Sequence, residues 1–306
     1  MIKMVNLQTL PRRLKLYVVE HFGFVDGMSN TLFLEEDLKE VEAEAGRCIT
    51  WDPSAPLSLV LVQDKNAQEE DSYGSFFVFR KLEQNVRAFR ETEIKFADAL
   101  GLEGKARKRA GALIMGRFRN GVPLVLQDTE DPDRHGKFNR NNFDFREDKE
   151  GIKCPINSHI RKVNPREARN EQERKVGQDN RIVRRSITYG KRDLPLRDNL
   201  APEELPTGGV GILFMCFQRD ISTQFSFIQK MWANNPDFPL SQTPRPGIDP
   251  IAGQGSREDQ WWSPVWGRSG FKKYKLPHFV ILRGGEYFFA PSISFLKTIA
   301  GGPGNV

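Results

Sequence analysis

The sequence predicts an α+β fold built around an antiparallel sheet. Three observations support this prediction. Strand-like and helix-like segments follow one another in mixed order. Long polar stretches at 117–208 and 234–275, dense in Pro, Asn, Asp and Arg, separate these segments. The chain has 306 residues, of which 38% are hydrophobic and 28% charged, so it is long and apolar enough to bury a substantial core.

The first predicted strand covers 75–80, where Ser-Phe-Phe-Val-Phe-Arg combines aromatic and β-branched residues. A helix is predicted to follow directly over 81–100. Within it, Leu82, Val86 and Phe89 recur at helical spacing and therefore share one face.

A second buried strand is predicted over 208–217, which is entered through glycines and continues as a run of apolar residues. The helix expected over 222–233 places Phe225, Ile228 and Trp232 on one face, and the Asn-Asn-Pro sequence at 234–236 ends it.

Two further strands are predicted at 278–283 and 286–290, joined by a turn at Gly284 and Gly285. The two long polar stretches are expected to carry function, because loops of this length inside a compact domain are otherwise uncommon.

Charge and cysteine content restrict the function classes. The net charge is +6, but basic and acidic residues are interspersed, which argues against a nucleic-acid or membrane partner. Cys48, Cys154 and Cys216 lie far apart, which argues against a disulfide framework or a cysteine-rich zinc site. The absence of a visible secretory signal or membrane-spanning run favours the cytoplasm, and a homo-oligomer is left open.

The chain has four histidines: His21, His135, His159 and His278. No spacing of His, Cys and carboxylates matches a protein-only zinc or iron site. His159 follows Cys154-Pro in a polar region, and a lone histidine of this kind is commonly structural. A single imidazole is nevertheless sufficient to bind haem iron, because the porphyrin supplies the other four ligands.

Two other segments are candidates for chemistry. Gly23-Phe-Val-Asp-Gly27 predicts a tight turn that fixes the direction of the Asp26 carboxylate, although Asp-Gly turns are common. In an extended segment, the adjacent Arg184 and Arg185 point to opposite faces, so that one guanidinium can enter a pocket while the other stays in solvent.

Taken together, these motifs resemble the dye-decolorising peroxidase family of haem enzymes. The Gly-x-x-Asp-Gly signature is present at residues 23–27, and the resemblance extends over essentially the whole chain. The other matching segments follow in the family's order: Tyr73-Gly-Ser-Phe-Phe-Val-Phe-Arg-Lys-Leu-Glu-Gln84, Gly116-Arg-Phe-Arg-Asn-Gly-Val-Pro-Leu124, Asn142-Phe-Asp-Phe145, His159-Ile-Arg-Lys162, Asn164-Pro-Arg166, Arg181-Ile-Val-Arg-Arg185, Gln224-Phe-Ser-Phe-Ile-Gln229, Asp249-Pro-Ile-Ala-Gly-Gln254 and Gly284-Gly-Glu-Tyr-Phe-Phe-Ala-Pro-Ser292.

The resemblance implies a haem b peroxidase with one haem per chain, using hydrogen peroxide to oxidise bulky aromatic or dye-like reductants. It implies that His159 is the proximal iron ligand, Asp26 the distal acid-base and Arg184 the distal arginine. A thiolate ligand from Cys154 is set aside, because His159 occupies the family's ligand position.

The resemblance also implies a set of supporting residues. Gly27, Met28 and Ser186 are expected to line the distal pocket. Arg161 is expected to contact a haem propionate, and Asp220 to accept a hydrogen bond from the proximal imidazole.

Two features of function stay open at this point. Electrons from bulky reductants are expected to arrive through aromatic residues near the surface, for which the candidates are Trp261, Trp262, Trp266 and Tyr287, although each is also compatible with simple packing. The alternative function is a haem-binding protein with little peroxidase turnover.

The fold implied by the resemblance is of the dimeric α+β barrel type, with two ferredoxin-like halves. In family members the Gly-x-x-Asp-Gly turn lies well inside the chain, whereas here it begins at Gly23. We therefore expect an incomplete first half at 1–66, which carries this turn, and a second half at 67–306, which carries His159 and Arg184.

Overall fold

The computed structural model describes residues 19–45, 50–67, 69–130, 140–167, 171–191, 201–239 and 245–301, and the fold is given for these. Two residues considered in the sequence, Cys48 and His135, lie outside this part of the chain.

The principal element is a six-stranded antiparallel sheet. Its strands are β1 (Val62–Gln63), β2 (Tyr73–Gln84), β3 (Val183–Arg184), β4 (Ile187–Tyr189), β5 (Gly211–Gln218) and β8 (Val280–Ala290). β2 lies between β5 and β8, and β5 pairs on its other edge with β3 and β4. β1 pairs with the beginning of β2. A separate hairpin is formed by β6 (Gln260–Trp262) and β7 (Lys272–Tyr274).

Helices connect and cover these strands. They are α1 (Glu35–Ala45), α2 (Val86–Leu100), α3 (Arg109–Met115), α4 (His159–Val163), α5 (Glu171–Asp179) and α6 (Ile293–Gly301). Two π-helical segments, Ser222–Ser226 and Ile228–Ala233, follow β5 where a helix was predicted. No helix in the described ranges has the length and apolar character needed to cross a bilayer.

The junction between β2 and α2 differs from the prediction. β2 continues through Gln84, and α2 begins only at Val86, after Asn85 accepts a hydrogen bond from the backbone N–H of Ala88. The residues from Lys81 to Gln84 are strand because β8 pairs with them on one edge and β5 with most of them on the other. The pairing of three strands outweighs the helical spacing that begins at Leu82.

The predicted turn at Gly284 and Gly285 is wrong, because both glycines lie inside the single long strand β8. A Cβ atom at Gly285 would lie 2.7 Å from the carbonyl oxygen of Phe79 on β2. Gly285 therefore permits close approach of the two strands, and Gly284 adopts a positive φ of 153° where the register is irregular opposite Lys81 and Leu82.

The main hydrophobic core is rich in phenylalanine and packs on α2. Phe89 of α2 stacks on Phe22 at 4.4 Å between ring centroids and meets Phe279 edge-on at 5.1 Å. Phe96, about two helical turns after Phe89, packs edge-on against Trp262 of β6. This core holds the segment before Asp26 against α2. The sheet and its helices confirm the predicted α+β, ferredoxin-like class.

Candidate active site

A cavity of about 300 Å³ lies between the sheet, the turn that carries Asp26, and α4. Most of its wall is apolar, and it is lined by six of the seven predicted site residues: Asp26, Gly27, Met28, His159, Arg184 and Ser186. Residues more than 150 positions apart in the chain therefore face one space.

The turn that carries Asp26 is fixed by a buried carboxylate. Glu20 accepts hydrogen bonds from the backbone N–H groups of Phe22 and Phe24 at 2.9 and 2.8 Å. A third donor, the side-chain amide of Gln84 on β2, lies 2.6 Å from Glu20 and joins the turn to the sheet. These contacts satisfy turn amides that packing would otherwise leave unpaired.

Asp26 and Arg184 form a charged pair in the cavity. The Arg184 guanidinium donates to Oδ1 of Asp26 at 3.1 Å, and the backbone N–H of Gly27 donates to the same oxygen at 2.7 Å. Burial acts to raise the pKa of Asp26. The charge of Arg184, the two hydrogen bonds and the charge of His159 together overcome it and hold that pKa below 3.8. Asp26 is thus held as a carboxylate.

The orientation of Arg184 confirms the prediction that adjacent arginines diverge. Arg184 lies opposite Cys216 of β5 and faces the cavity. Arg185 is exposed and donates to the carbonyl oxygen of Arg184. Ser186 returns to the cavity wall, where its hydroxyl accepts from the backbone N–H of Met215.

His159 is the first residue of α4, and its ring is oriented by Asp249. Nδ1 donates to Oδ2 of Asp249 at 2.9 Å. The other carboxylate oxygen of Asp249 accepts from the backbone N–H groups of Ile251 and Ala252 at 2.7 and 2.8 Å. With Nδ1 engaged, Nε2 is the ring nitrogen left to bind a ligand in the cavity.

The expectation that Asp220 would be this partner is wrong. Asp220 accepts hydrogen bonds from the backbone and the hydroxyl of Thr223, at the start of the first π-helical segment. Asp249 belongs to a motif recognised in the sequence, but nothing in its spacing indicated contact with a residue ninety positions earlier.

The turn around Asp249 is itself held by a buried arginine. Arg257 donates to the carbonyl oxygens of Asp249 at 2.7 Å and Pro250 at 3.1 Å, with a longer contact to Gly253 at 3.4 Å. Its Nε contacts Nδ1 of His278 at 3.3 Å. The position of the Asp249 carboxylate thus depends on Arg257, and His278 has a structural role.

Arg161, expected to contact a haem propionate, is not among the residues that line the cavity. Its guanidinium contacts Glu167 at 2.5 Å, Asp148 at 3.2 Å and the carbonyl oxygen of Cys154 at 2.6 Å. It also lies over the ring of Phe145. The structure corrects this prediction: Arg161 neutralises a buried acidic cluster beneath α4.

Other arginines line the cavity, among them Arg117 and Arg166. Arg117 donates to backbone carbonyls and to the Ser29 hydroxyl, and burial lowers its pKa to about 9. Arg166 donates to the carbonyl oxygens of Asn141 and Phe143, and burial holds its pKa well below the usual value of an arginine. Within the described chain, neither forms an ion pair with a carboxylate. Both are buried cations able to receive an anionic group.

The donor set fits a haem better than a bare metal ion. Among the described residues, no three His, Cys, Asp or Glu side chains are grouped to hold a metal. A single oriented imidazole, an apolar cavity and two buried arginines match an iron porphyrin with two carboxylates. Burial raises the pKa of the Cys154 thiol to about 12, so a Cys154 thiolate is disfavoured.

The aromatic residues considered for electron transfer lie in different environments. Trp262 is completely buried in the core, and Trp266 donates its indole N–H to the carbonyl oxygen of Leu124. Tyr287 is exposed and lies edge-on to Phe225, a cavity-lining residue, at 6.2 Å. Of these, Tyr287 alone is both exposed and next to the cavity wall.

Comparison with known proteins gives a consistent result. Residues 20–240 match the family model described as Dyp-type peroxidase, C-terminal. The chain is 44% identical over 285 residues to the multifunctional dye peroxidase DyP2 of an Amycolatopsis species, covering 92% of this chain and 61% of that relative. Peroxidase 2 of Mycetinis scorodonius is 31% identical, with 91% of this chain and 56% of the relative covered.

Solved structures of similar fold lead to the same family. The Amycolatopsis DyP2 structure superimposes with a TM-score of 0.84. A DyP-type peroxidase from Anabaena, 42% identical, superimposes with a TM-score of 0.82 over 92% of this chain and 58% of that one. The chain thus spans about three fifths of the length of these relatives. By the family model and by these likenesses, the chain belongs to the DyP-type, or dye-decolorising, peroxidase family.

Proposed function

We propose that this chain binds one haem b through Nε2 of His159 and reduces hydrogen peroxide while oxidising aromatic, dye-like reductants. The observation that carries the proposal is the convergence of the Asp26–Arg184 pair and the Asp249-oriented His159 on one apolar cavity. The relatives named as dye peroxidases support it.

Several residues would hold the cofactor. His159 would supply the iron ligand, and Gly27, Met28 and Ser186 would contact the porphyrin from the cavity wall. Arg117 and Arg166 would bind its carboxylates in place of Arg161, since both guanidinium groups are buried and neither forms an ion pair with a carboxylate among the described residues. When bound, haem supplies an iron that binds peroxide and stores its oxidising equivalents.

Asp26 would move the proton. Cleavage of the peroxide O–O bond requires that one oxygen lose its proton and the other gain it. The Asp26 carboxylate, ionised because of Arg184 and Gly27, would accept the proton at Oδ2, the oxygen left free by these contacts, and return it to the departing oxygen.

Arg184 would stabilise the negative charge that develops on the departing oxygen. Its guanidinium is fixed by Asp26 and by the pairing of β3 with β5, so no reorganisation is needed when the charge appears. It also keeps Asp26 in its basic form, which extends proton transfer into acidic solution.

Asp249 would tune His159. A buried carboxylate that accepts from Nδ1 adds anionic character to the imidazole and strengthens its donation from Nε2.

The proposal also includes the division of the chain into an incomplete first half at 1–66, which carries the turn with Asp26, and a second half at 67–306, which carries His159 and Arg184. A cytoplasmic location and a possible homo-oligomer belong to the same proposal.

The direct test is peroxide-dependent bleaching of an aromatic dye by the haem-reconstituted chain, compared with Asp26→Asn. We expect turnover in the wild type and a loss of about 10²- to 10⁴-fold in the variant, with an unchanged haem spectrum. A haem spectrum without bleaching in the wild type would instead support a haem-binding protein with little turnover.

A further inference from the structure

The wall of the cavity formed by the sheet carries another arginine, Arg80, which has no part in the proposed proton transfer or haem binding. Arg80 lies on β2 opposite Phe214 of β5, and both side chains face the cavity. Its neighbour on the other edge is Gly285 of β8. A Cβ atom at Gly285 would lie 3.0 Å from Cγ of Arg80, so the glycine leaves room for the arginine side chain.

The charge of Arg80 is poorly compensated. Among the described residues, its guanidinium donates one hydrogen bond, to the amide oxygen of Gln229 at 2.8 Å, and most of its donors have no partner there. No described carboxylate forms an ion pair with it. Burial lowers the pKa of Arg80, as expected for a cation that has lost water without gaining an anion.

The surroundings of Arg80 are aromatic. Its guanidinium lies 5.5 Å from the ring centroid of Phe225, and Phe225 lies 5.9 Å from the ring of Phe214. All three residues line the cavity. A planar apolar ring is therefore accommodated next to the guanidinium, whereas a free inorganic anion would leave this aromatic wall without a partner.

Arg80 is also close to the reacting end of the cavity. Burial raises the pKa of the Cys216 thiol to about 12, and the charges of Arg184 and Arg80 both oppose that effect. Cys216 pairs with Arg184 in the sheet register. On its other edge Cys216 pairs with Val78, two positions before Arg80, so Arg80 and Arg184 lie on the same face of the sheet.

We propose that Arg80 is a substrate subsite that binds the carboxylate of a small aromatic reductant, with its ring against Phe214 and Phe225. This inference rests on the proposed peroxidase function and names the substrate class that the same cavity would take. A planar guanidinium with free N–H groups recognises a carboxylate through paired hydrogen bonds. Haem itself also carries carboxylates, but Arg117 and Arg166 are the residues proposed to bind those.

The first experiment needs no turnover. Benzoate is titrated into the haem-free and the haem-reconstituted protein, and its binding is followed by calorimetry. We expect Arg80→Gln to weaken benzoate binding by about tenfold to a hundredfold, the range of a charge-assisted contact. Arg283→Gln, which removes an exposed arginine paired with Glu83 on the neighbouring strand, is the control and is expected to change nothing.

The second experiment uses two matched phenolic reductants, 4-hydroxybenzoate and the neutral 4-hydroxybenzamide. We expect Arg80→Gln to raise KM for the benzoate by about tenfold or more and to leave the benzamide unaffected. Arg80→Lys, which keeps the charge but loses the paired donors, is expected to give an intermediate KM. Thermal unfolding of each variant verifies that it is folded.

Three results would overturn the inference. The first is benzoate binding that is the same in wild type and Arg80→Gln. The second is an equal rise in KM for both reductants. The third is a selective loss of affinity for haem over its dimethyl ester in Arg80→Gln, which would assign Arg80 to the cofactor. Failure of turnover in the wild type, with Arg80-dependent benzoate binding retained, would instead contradict the peroxidase proposal alone.

Discussion

Asp249 and His159, ninety positions apart in the chain, are joined by a hydrogen bond of 2.9 Å between Oδ2 and Nδ1. The carboxylate is fully buried, and its second oxygen is held by two backbone N–H groups, so it cannot turn away from the imidazole. This contact fixes which ring nitrogen faces the cavity, and it orients His159 for the role of iron ligand that we propose for it.

Replacing Asp249 tests this relationship. Asp249→Asn keeps the shape but removes the charge, and we expect haem affinity or dye turnover to fall by about 10- to 100-fold, as for other partners of metal-ligating histidines. The reduction potential of the bound haem is expected to rise, because the imidazole donates less strongly. Asp220→Asn is the matched control, and an equal effect of both substitutions would contradict the assignment.

The Asp26–Arg184 pair predicts a pH dependence. The folded-state pKa of Asp26 lies below 3.8, so its carboxylate, and the stability gained from its contacts, persist above pH 3.8 and are lost as the pH falls through that lower value. In Arg184→Gln the positive charge that offsets the effect of burial is lost, so the pKa of Asp26 is expected to rise. The acid limb of the turnover profile should move to higher pH, with a fall in rate of about 10²- to 10³-fold. If the acid limb does not move in Arg184→Gln, Arg184 does not control the pKa of the group that limits turnover, and the prediction is contradicted.

The role of Arg166 is tested by changing the ligand. The dimethyl ester of haem carries two neutral methyl esters in place of the two carboxylates, so wild-type protein should prefer haem. In Arg166→Gln this preference is expected to fall by about tenfold or more, because a charge-assisted contact is lost. Competitive binding of the two porphyrins measures it. An unchanged preference would assign the carboxylates to other residues.

Arg161 is expected to matter for stability. Its side chain and that of Asp148 are each only 1% exposed, so Arg161→Met leaves buried carboxylates without a counter-ion. We expect the free energy of unfolding to fall by about 3–5 kcal/mol. In the control Arg146→Met, the arginine is 58% exposed, and a loss below about 1 kcal/mol is expected. Equal losses in denaturant titrations would refute the structural role.

The turn that carries Asp26 and the opposite directions of Arg184 and Arg185 could be predicted because neighbouring residues in the sequence determine both. Glycines on both sides of Val25-Asp26 predict a tight turn, and two adjacent arginines in a strand must face opposite ways. The structure brings Asp26 and Arg184 together as the family resemblance implied.

The partner of His159 could not be anticipated in the same way. Asp249 reaches the imidazole only because Arg257 and backbone amides shape its turn, and no sequence spacing encodes that contact. The contacts of Arg161 could not be anticipated either, because a basic residue two positions after His159 gives no sign of the acidic side chains of Asp148 and Glu167 that it meets.

Strand pairing explains the errors in the elements. Apolar residues do recur at helical spacing from Leu82 onward, but hydrogen bonding to β5 and β8 holds residues 81–84 in a strand. Gly284 and Gly285 have turn composition, yet both lie inside β8, where Gly285 allows β2 to approach closely. In both cases a distant strand decided the conformation.

The most direct test of the central claim is the absorption spectrum of haem-reconstituted protein for wild type, His159→Ala and the control His278→Ala. We expect the spectrum of a histidine-ligated haem in wild type and in His278→Ala, its loss in His159→Ala, and its recovery on adding imidazole to that variant. An unchanged spectrum in His159→Ala would show that another residue binds the iron and would contradict the account.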